Sequence, residues 1–334
     1  MPRALITSRS FGAIVSTGVD LLRDAGFEAM RVVEEDRPLD EASLLRVVRR
    51  DRPNVIISGA EPLTEAVISA ATDLRMIMKH GVGIDNIDLD AATSRQILVA
   101  NAPGTNTQAV AELTVALIFA LLRRIVPAAI GTRAGRFERH VGREIRGLNV
   151  GIVGTGRIGA AVARLLQPFG ASLLGYDPLR NDALAAEVGL RYVPLEELLR
   201  QSDFVSLHVP LTPDTIGLIG PRQLEWMKPS AFLINAARGE LVDEAALADA
   251  LSSGVIAGAA VDVFATEPPL ESPLVPLANV IATPHIAAYT VEAMERMDRV
   301  CAETILAALS GGRPANLLNP HVLDQDPPRG DACP

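Results

Sequence analysis

LNVGIVGTGRIGAAVARLLQPFG, Leu148–Gly170, is the stretch that decides the fold. An apolar run, Leu148–Val153, leads into Gly154-Thr155-Gly156-Arg157-Ile158-Gly159, and the spacing of apolar residues then predicts a helix over Arg157–Phe169. Strand, glycine turn and helix start, in that order, make a phosphate-binding corner. Gly154 permits the tight turn, Gly156 lets a pyrophosphate approach the backbone, and Gly159 lets helix and strand pack closely. The helix start directs N–H groups at the anion. The next expected strand, Ser172–Tyr176, ends at Asp177, 18 residues beyond Gly159. A carboxylate there can accept hydrogen bonds from both adenosine ribose hydroxyls and repels a 2′-phosphate, so the pattern predicts NAD rather than NADP. Arg180 stands close enough to bear on that preference. A bare glycine turn would also fit a nucleotide-free α/β domain; the strand, helix and acid around this one give it meaning.

Working outward, short apolar runs alternate with helical segments on both sides of this corner. Upstream, strands are expected at Ala4–Thr7, Asn54–Ser58, Arg75–Lys79 and Ile97–Ala100, with helices such as Gly18–Ala25 and Asp40–Arg50 between them. Downstream, strands are expected at Asn149–Val153, Phe204–Val209, Ala231–Asn235, Ala257–Val261 and Val280–Ala282, and helices at Leu195–Gln201 and Glu244–Ser253. Asn106–Arg124 reads as a long helix, capped by Thr105 or Asn106 and apolar nearly all round, hence packed between layers. Arg133–Arg146 reads as an exposed loop, and Ile286–Leu309 as a final long helix. Alternation of this kind predicts parallel sheets covered by helices on both faces. The fingerprint starts about 150 residues in, so a whole α/β domain precedes it, and the last helix can return to that domain. The expected fold is therefore α/β, with two Rossmann-like doubly wound parallel-sheet domains. A nucleotide domain (102–286) is inserted into a split substrate domain (1–101 and 287–320), followed by a disordered tail (321–334).

The 334 residues suit two domains, and 49% apolar with 21% charged residues is a globular composition. A net charge of −9 argues against sequence-independent nucleic-acid binding, which needs a basic face. Any anion site must be local, built from a few cations and backbone N–H groups. Cys301 and Cys333 offer neither a disulfide framework nor metal-ligand spacing, and no metal is expected. The N-terminus lacks a signal-peptide core. The most apolar run, Leu113–Leu122, is too short to span a bilayer, so no membrane partner and a cytoplasmic location are expected.

Three polar residues follow expected strands of the second block: Arg238 in INAARG, Glu267 in DVFATEP and His285 in ATPH. Open α/β sheets bind ligands outside the carboxyl ends of their strands. Hydride transfer from an alcohol needs a base for the hydroxyl proton, and a cation to hold the carboxylate and polarise the developing carbonyl. Histidine titrates near neutrality, and arginine grips carboxylates in bidentate fashion. A glutamate beside the histidine would orient it and favour its charged form. Taken singly, each has an ordinary reading: a strand-end histidine, a structural ion pair, a solvated acid. Behind a dinucleotide fingerprint they form a catalytic constellation. Asp262, ending a buried strand, could accept from a nicotinamide carboxamide or could stabilise its own loop. His208 reads as a wall of the cofactor site rather than a catalyst.

The chain resembles the D-isomer-specific 2-hydroxyacid dehydrogenases, in particular the phosphoglycerate dehydrogenase and hydroxypyruvate reductase branch. The resemblance covers about Val55 to Asn319. It is carried by KHGVGIDNID (Lys79–Asp88), NAPGTNTQAVAE (Asn101–Glu112), GIVGTGRIG (Gly151–Gly159), HVPLTPDT (His208–Thr215), INAARGELVDEAAL (Ile234–Leu247), DVFATEP (Asp262–Pro268) and TPHIA (Thr283–Ala287). It implies that Arg238, Glu267 and His285 are catalytic. It implies NAD contacts from Thr107, Gly154, Gly156, Arg157, Ile158, Gly159, Asp177, His208, Pro210, Thr215, Ala236, Arg238, Asp262 and His285. It implies that Lys79, His80, Gly81, Val82 and Gly83 bind the substrate with Arg238 and His285, and consecutive N–H groups around glycines suit a carboxylate. Lys79 is further expected to reach a distal polar or anionic group of a three-carbon substrate, unless it only covers apolar surface. The implied substrates are small anionic 2-hydroxy and 2-oxo acids such as 3-phosphoglycerate, hydroxypyruvate or glyoxylate. The implied assembly is a homodimer through Asn106–Arg124 and Gly131–Arg146. The chain departs from the longer phosphoglycerate dehydrogenases in stopping soon after the last core helix, so feedback through a C-terminal regulatory domain is not expected. Two competing readings are an NAD-sensing corepressor that keeps the catalytic residues, and a formate or phosphite dehydrogenase; the KHGVGIDNID loop argues against the latter.

Overall fold

Short runs of β-branched and aliphatic residues bounded by turns become strands, and the segments between them become helices. The structure is a computed structural model and describes residues Met1–Asp324. It divides into two units, Met1–Asn106 with the chain from Thr290 onward, and Thr107–Tyr289.

The first unit runs β1 (Arg3–Ile6), α1 (Thr17–Asp24), β2 (Glu28–Arg31), α2 (Glu41–Asp51), β3 (Val55–Ser58), α3 (Glu65–Ala70), β4 (Met76–Lys79), α4 (Leu89–Ser94) and β5 (Leu98–Ala100). All pairings are parallel, in the order β2-β1-β3-β4-β5, so the winding reverses between β1 and β3. β3 and β4 are buried along their whole length, as a sheet covered on both faces requires. Asp40, Thr64 and Asp88 cap α2, α3 and α4 by accepting the N–H three residues on.

The second unit opens with α5 (Thr107–Leu122) and α6 (Ile125–Arg133). It continues through β6 (Asn149–Val153), α7 (Arg157–Leu166), β7 (Ser172–Tyr176), α8 (Asp182–Val188), β8 (Arg191–Tyr192), α9 (Leu195–Gln201) and β9 (Phe204–Leu207). α10 (Pro221–Trp226), β10 (Phe232–Asn235), α11 (Glu244–Ser252), β11 (Gly258–Val261) and β12 (Val280–Ala282) complete it. Its seven parallel strands are ordered β12-β11-β10-β9-β6-β7-β8, with the reversal between β6 and β9. One face buries Val153, Leu207, Leu233 and Val261 against α9 to α11. The other buries Ile152, Phe204, Ile234 and Ala260 against α5 and α7. α12 (Val291–Leu309) belongs to the first unit and packs on α1 and β4. Both expected doubly wound parallel sheets are present.

The departures from expectation have local causes. β2 and β8 sit at sheet edges, half exposed, and lack the apolar run that marks a buried strand. The last helix starts at Val291, not Ile286, because the Asp262 carboxylate takes the N–H groups of Ile286 and Ala287, and Thr290 then caps the helix. The helix after the glycine corner ends at Leu166 and tightens to a 3-10 turn over Gln167–Phe169 around Pro168. Thr105 does not cap α5 as expected: its hydroxyl donates to the Ala102 carbonyl, and Asn106 Oδ1 is buried without a hydrogen-bond partner. Pro320–Asp324 form a 3-10 turn, and the rest of the expected tail, 325–334, lies outside the described residues. Among the described residues no single helix is long and apolar enough to cross a membrane.

Gly151 in β6 shows how closely the sheet is covered. A Cβ there would lie 2.4 Å from Leu198 Cδ2 and 2.4 Å from Ser202 Oγ. Gly151→Ala is expected to destabilise the chain by about 1–3 kcal/mol, the usual cost of overpacking. Urea unfolding checks this, and an unchanged midpoint would show that α9 can move aside freely.

Candidate active site

The sequence places most of the second unit's candidate residues at or just beyond the carboxyl ends of its strands. Gly154–Gly159 follow β6, Asp177 follows β7, and His208 and Pro210 follow β9. Ala236 and Arg238 follow β10, Asp262 follows β11, and His285 follows β12. Thr107 starts α5 and Thr215 closes the turn after β9, where its hydroxyl donates to the Pro210 carbonyl. Parallel strands bring all these loops to one edge of the sheet.

The glycine corner is shaped for a diphosphate. Gly154 has φ +92°, and a Cβ on it would stand 2.7 Å from the His208 backbone. A Cβ on Gly159 would stand 2.0 Å from the Gly154 carbonyl oxygen. Gly156, by contrast, faces open space and is the N-cap of α7, with no side chain accepting the helix's first N–H groups. An uncapped start of a ten-residue helix beside an open glycine suits a phosphate. Arg157 is exposed and Ile158 half-buried at that start. Asp177 reaches back to the corner: Oδ2 accepts from the Thr155 N–H at 2.7 Å, and Oδ1 from the Leu179 N–H at 2.8 Å. Oδ2 also accepts from Thr155 Oγ1 at 3.2 Å, so of about four acceptor sites one, on Oδ1, stays open for a ribose hydroxyl. Thr155 and Tyr192, whose hydroxyls lie 2.7 Å apart, complete this wall, with Arg180 over the Tyr192 ring. Neither Thr155 nor Tyr192 stood out in the sequence, because Thr155 fills a variable position of the glycine pattern and Tyr192 lies outside it.

His285 Nδ1 lies 2.9 Å from Glu267 Oε2. Glu267 Oε1 also accepts from the Phe264 N–H at 3.2 Å. Burial raises the Glu267 carboxyl, but the hydrogen bond and charge of His285, the Phe264 N–H and the charge of Arg238 outweigh it and hold it below the ordinary glutamate range. The pair therefore keeps its anion into mildly acidic solution. His285 has φ +52°, a left-handed backbone uncommon outside glycine, held by its N–H to the Asp262 carbonyl at 2.8 Å. The Asp262 side chain is fully buried and accepts from Thr283 Oγ1, the Ile286 N–H and the Ala287 N–H at 2.6, 2.9 and 2.8 Å. It thus shapes the turn that presents His285. Arg238 leaves β10 on a loop that Asn235 organises: Asn235 donates to the Arg238 carbonyl and accepts from the Ala237 N–H. Ala236 packs on Val110 and Ala287.

In the first unit, Lys79–Gly83 follow β4. The Lys79 ammonium is buried and donates to the Gly59 carbonyl and to Asn86 Oδ1. The His80 ring is fully buried, with Nε2 2.8 Å from Asp298 Oδ1 on α12 and Nδ1 3.0 Å from Ser10 Oγ. Its N–H is spent on the Ser58 carbonyl. Both side chains thus build the loop from within. The N–H groups of Gly81, Val82 and Gly83 donate to no protein acceptor among the described residues, while the carbonyls of Gly81 and Val82 are tied to Ala102 and Asn101. Three successive N–H groups are thus left without a protein acceptor among the described residues, a set suited to a carboxylate.

The profile of the D-isomer specific 2-hydroxyacid dehydrogenase family, NAD binding domain, matches residues 115–287. A glyoxylate reductase of Korarchaeum cryptofilum is 45% identical over 275 residues, covering 80% of this chain and 83% of the relative. A D-3-phosphoglycerate dehydrogenase of Mycobacterium bovis is 45% identical over 259 residues, 77% of this chain but 49% of the relative, so the chain spans about half that relative's length. Among solved structures, D-lactate dehydrogenase from Aquifex aeolicus, complexed with NAD and lactic acid, superposes with a TM-score of 0.84 at 30% identity, covering 95% of this chain and 99% of the other. The chain belongs to the D-isomer specific 2-hydroxyacid dehydrogenase family. It is an NAD-dependent oxidoreductase.

His208 carries a consequence for stability. Its Nε2 lies 2.9 Å from Ser206 Oγ, and burial pushes its pKa down to about 4. The unfolded chain takes up a proton near the ordinary value of 6.5 while the folded chain does not, so stability falls as pH drops from 6.5 towards 4. The full loss is about 3 kcal/mol at 1.36 kcal/mol per unit. His208→Gln is expected to flatten this slope in urea titrations at pH 6.5, 5.5 and 4.5. An equally steep slope would assign the acid sensitivity to other groups.

Proposed function

We propose that the chain reduces a small 2-oxo acid to its D-2-hydroxy acid, and can run the reverse, with His285 exchanging the hydroxyl proton and Arg238 holding the substrate carboxylate. The observation that carries this reading is the His285–Glu267 pair, 2.9 Å apart and set at the nucleotide-binding edge of the sheet. NAD, when bound, supplies or takes the hydride; Gly154, Gly156, Arg157, Ile158, Gly159 and Asp177 would hold its adenosine and diphosphate. Thr107, His208, Pro210, Thr215, Ala236 and Asp262 would hold the remainder. His285 gives its proton to the substrate oxygen as that oxygen gains charge, and Arg238 stabilises the same charge through a bidentate fork. Glu267 fixes the orientation of the imidazole through Nδ1. His208, uncharged at neutral pH because burial lowers it, acts as a wall rather than an acid.

In this reading residues 102–286 form the nucleotide domain, and the N–H groups of Gly81, Val82 and Gly83 in the first unit suit a carboxylate. Lys79 and His80 shape that loop, Lys79 through Gly59 and Asn86 and His80 through Asp298. The substrate is a short 2-oxo acid of the glyoxylate, hydroxypyruvate or phosphorylated three-carbon kind, in line with the names of the relatives. A homodimer is supported by apolar side chains left on α6 and the following loop, where Phe137 is 86% and Val141 93% exposed. A cytoplasmic location fits a dehydrogenase of this class.

Two outcomes test the chemistry. His285→Asn is expected to lower kcat for glyoxylate reduction about 100-fold or more, the scale of a general acid. Glu267→Gln is expected to move the pH above which reduction fails to lower values, because a neutral amide replaces the carboxylate that meets Nδ1 at 2.9 Å. An unmoved limit would remove Glu267 from the acid–base pair. On the cofactor side, kcat/KM with NADH should exceed that with NADPH by about tenfold or more, since Asp177 opposes a 2′-phosphate at roughly 1–3 kcal/mol. Equal values would assign Asp177 to the corner alone.

A further inference from the structure

Glu267 sits in a segment with little to hold it. Phe264 and Leu274 are buried, but between them Ala265, Thr266, Glu267, Pro268, Leu270, Glu271 and Pro273 are exposed, Leu270 by 88%. Without apolar anchors such a loop is fixed by polar bonds or by close backbone approach. Both are present, and both come from the segment after Arg238. Glu244, the first residue of α11, accepts from the Ala265 N–H at 2.7 Å with one carboxylate oxygen and from Ser272 Oγ at 2.5 Å with the other. One side chain therefore closes residues 265–272 at both ends. Gly239, next to Arg238, lies so close behind the loop that a Cβ would stand 2.0 Å from the Phe264 carbonyl carbon and 2.2 Å from the Ala265 nitrogen.

The geometry points to Glu244 as a positioning residue for the Glu267–His285 pair, holding the loop 265–272 so that the Glu267 carboxylate meets His285 Nδ1. This deepens the proposed function and rests on it: Glu244 acts through Glu267 and contacts no substrate or cofactor. The carboxylate is needed rather than a neutral acceptor, because charged acceptors make the shorter and stronger bonds, and because a glutamine's amide nitrogen cannot accept the second donor. Ser272→Ala removes one of the two bonds and should act in the same direction with a smaller effect.

The test is a double-mutant cycle on glyoxylate reduction with NADH. Glu244→Ala is expected to lower kcat about 10-fold and to move the upper pH limit down, as Glu267→Gln does, with NADH affinity by fluorescence titration changed less than twofold. In the Glu267→Gln background, Glu244→Ala should cost less than a further twofold. Should Glu244→Ala not fold, Glu244→Gln replaces it in the cycle, with an expected loss of about 3-fold. The inference is overturned if the pH limit stays in place, or if the loss is the same in both backgrounds, since a merely structural role would multiply independently. If Glu267→Gln itself leaves the pH limit unmoved, the fault lies with the acid–base assignment and not with Glu244 alone.

Discussion

A single buried carboxylate, that of Asp262, decides where the candidate acid stands. It is fully buried at the end of β11, where an unsatisfied charge would be strongly unfavourable. Three donors from the Thr283–Ala287 turn satisfy it, and its own carbonyl takes the His285 N–H. These bonds offset the desolvation, bend the chain through a left-handed residue and delay the start of the last helix to Val291. The same turn brings His285 to Glu267. The strand that carries Asp262 is itself held in register between β10 and β12, so the position of the histidine is inherited from the sheet.

Much of the second unit was legible because its signals are local. The glycine corner is six residues, the buried strands are continuous apolar runs, and Arg238, Glu267 and His285 each follow a strand. Strands β6, β7 and β12 have the expected bounds because turns mark both ends. What was not legible depends on pairs distant in sequence or on weak edges. The His80–Asp298 contact joins residues 218 apart, and nothing in KHGVGIDNID says that the histidine faces inward. Lys79 offers the same lesson: its position at a strand end does not say that the ammonium bonds Gly59 and Asn86. Asp262 was open to two readings, and nothing in DVFATEP says that its carboxylate accepts from Thr283, Ile286 and Ala287. β2 and β8 carry no buried run to read.

Both sheets follow one rule: the winding reverses once, and the loops at the carboxyl ends flank that reversal. In a chain of net charge −9, the candidate anion contacts are local. They are backbone N–H groups at the start of α7 and at Gly81–Gly83, together with Arg238. Backbone donors attract anions without adding cations to the surface. That explains how an acidic chain can handle acidic ligands.

The central claim, that this family member turns over a 2-oxo acid, is tested most directly by product analysis. The chain is incubated with NADH and a panel of 2-oxo acids, from glyoxylate to hydroxypyruvate and three-carbon acids with phosphate or sulfonate on the third carbon. NADH loss is followed, and the products are resolved by chiral chromatography. The account predicts one NADH consumed per 2-hydroxy acid formed, with the chiral products in the D configuration. NADH binding with no consumption on any member of the panel, or an L product, would contradict it.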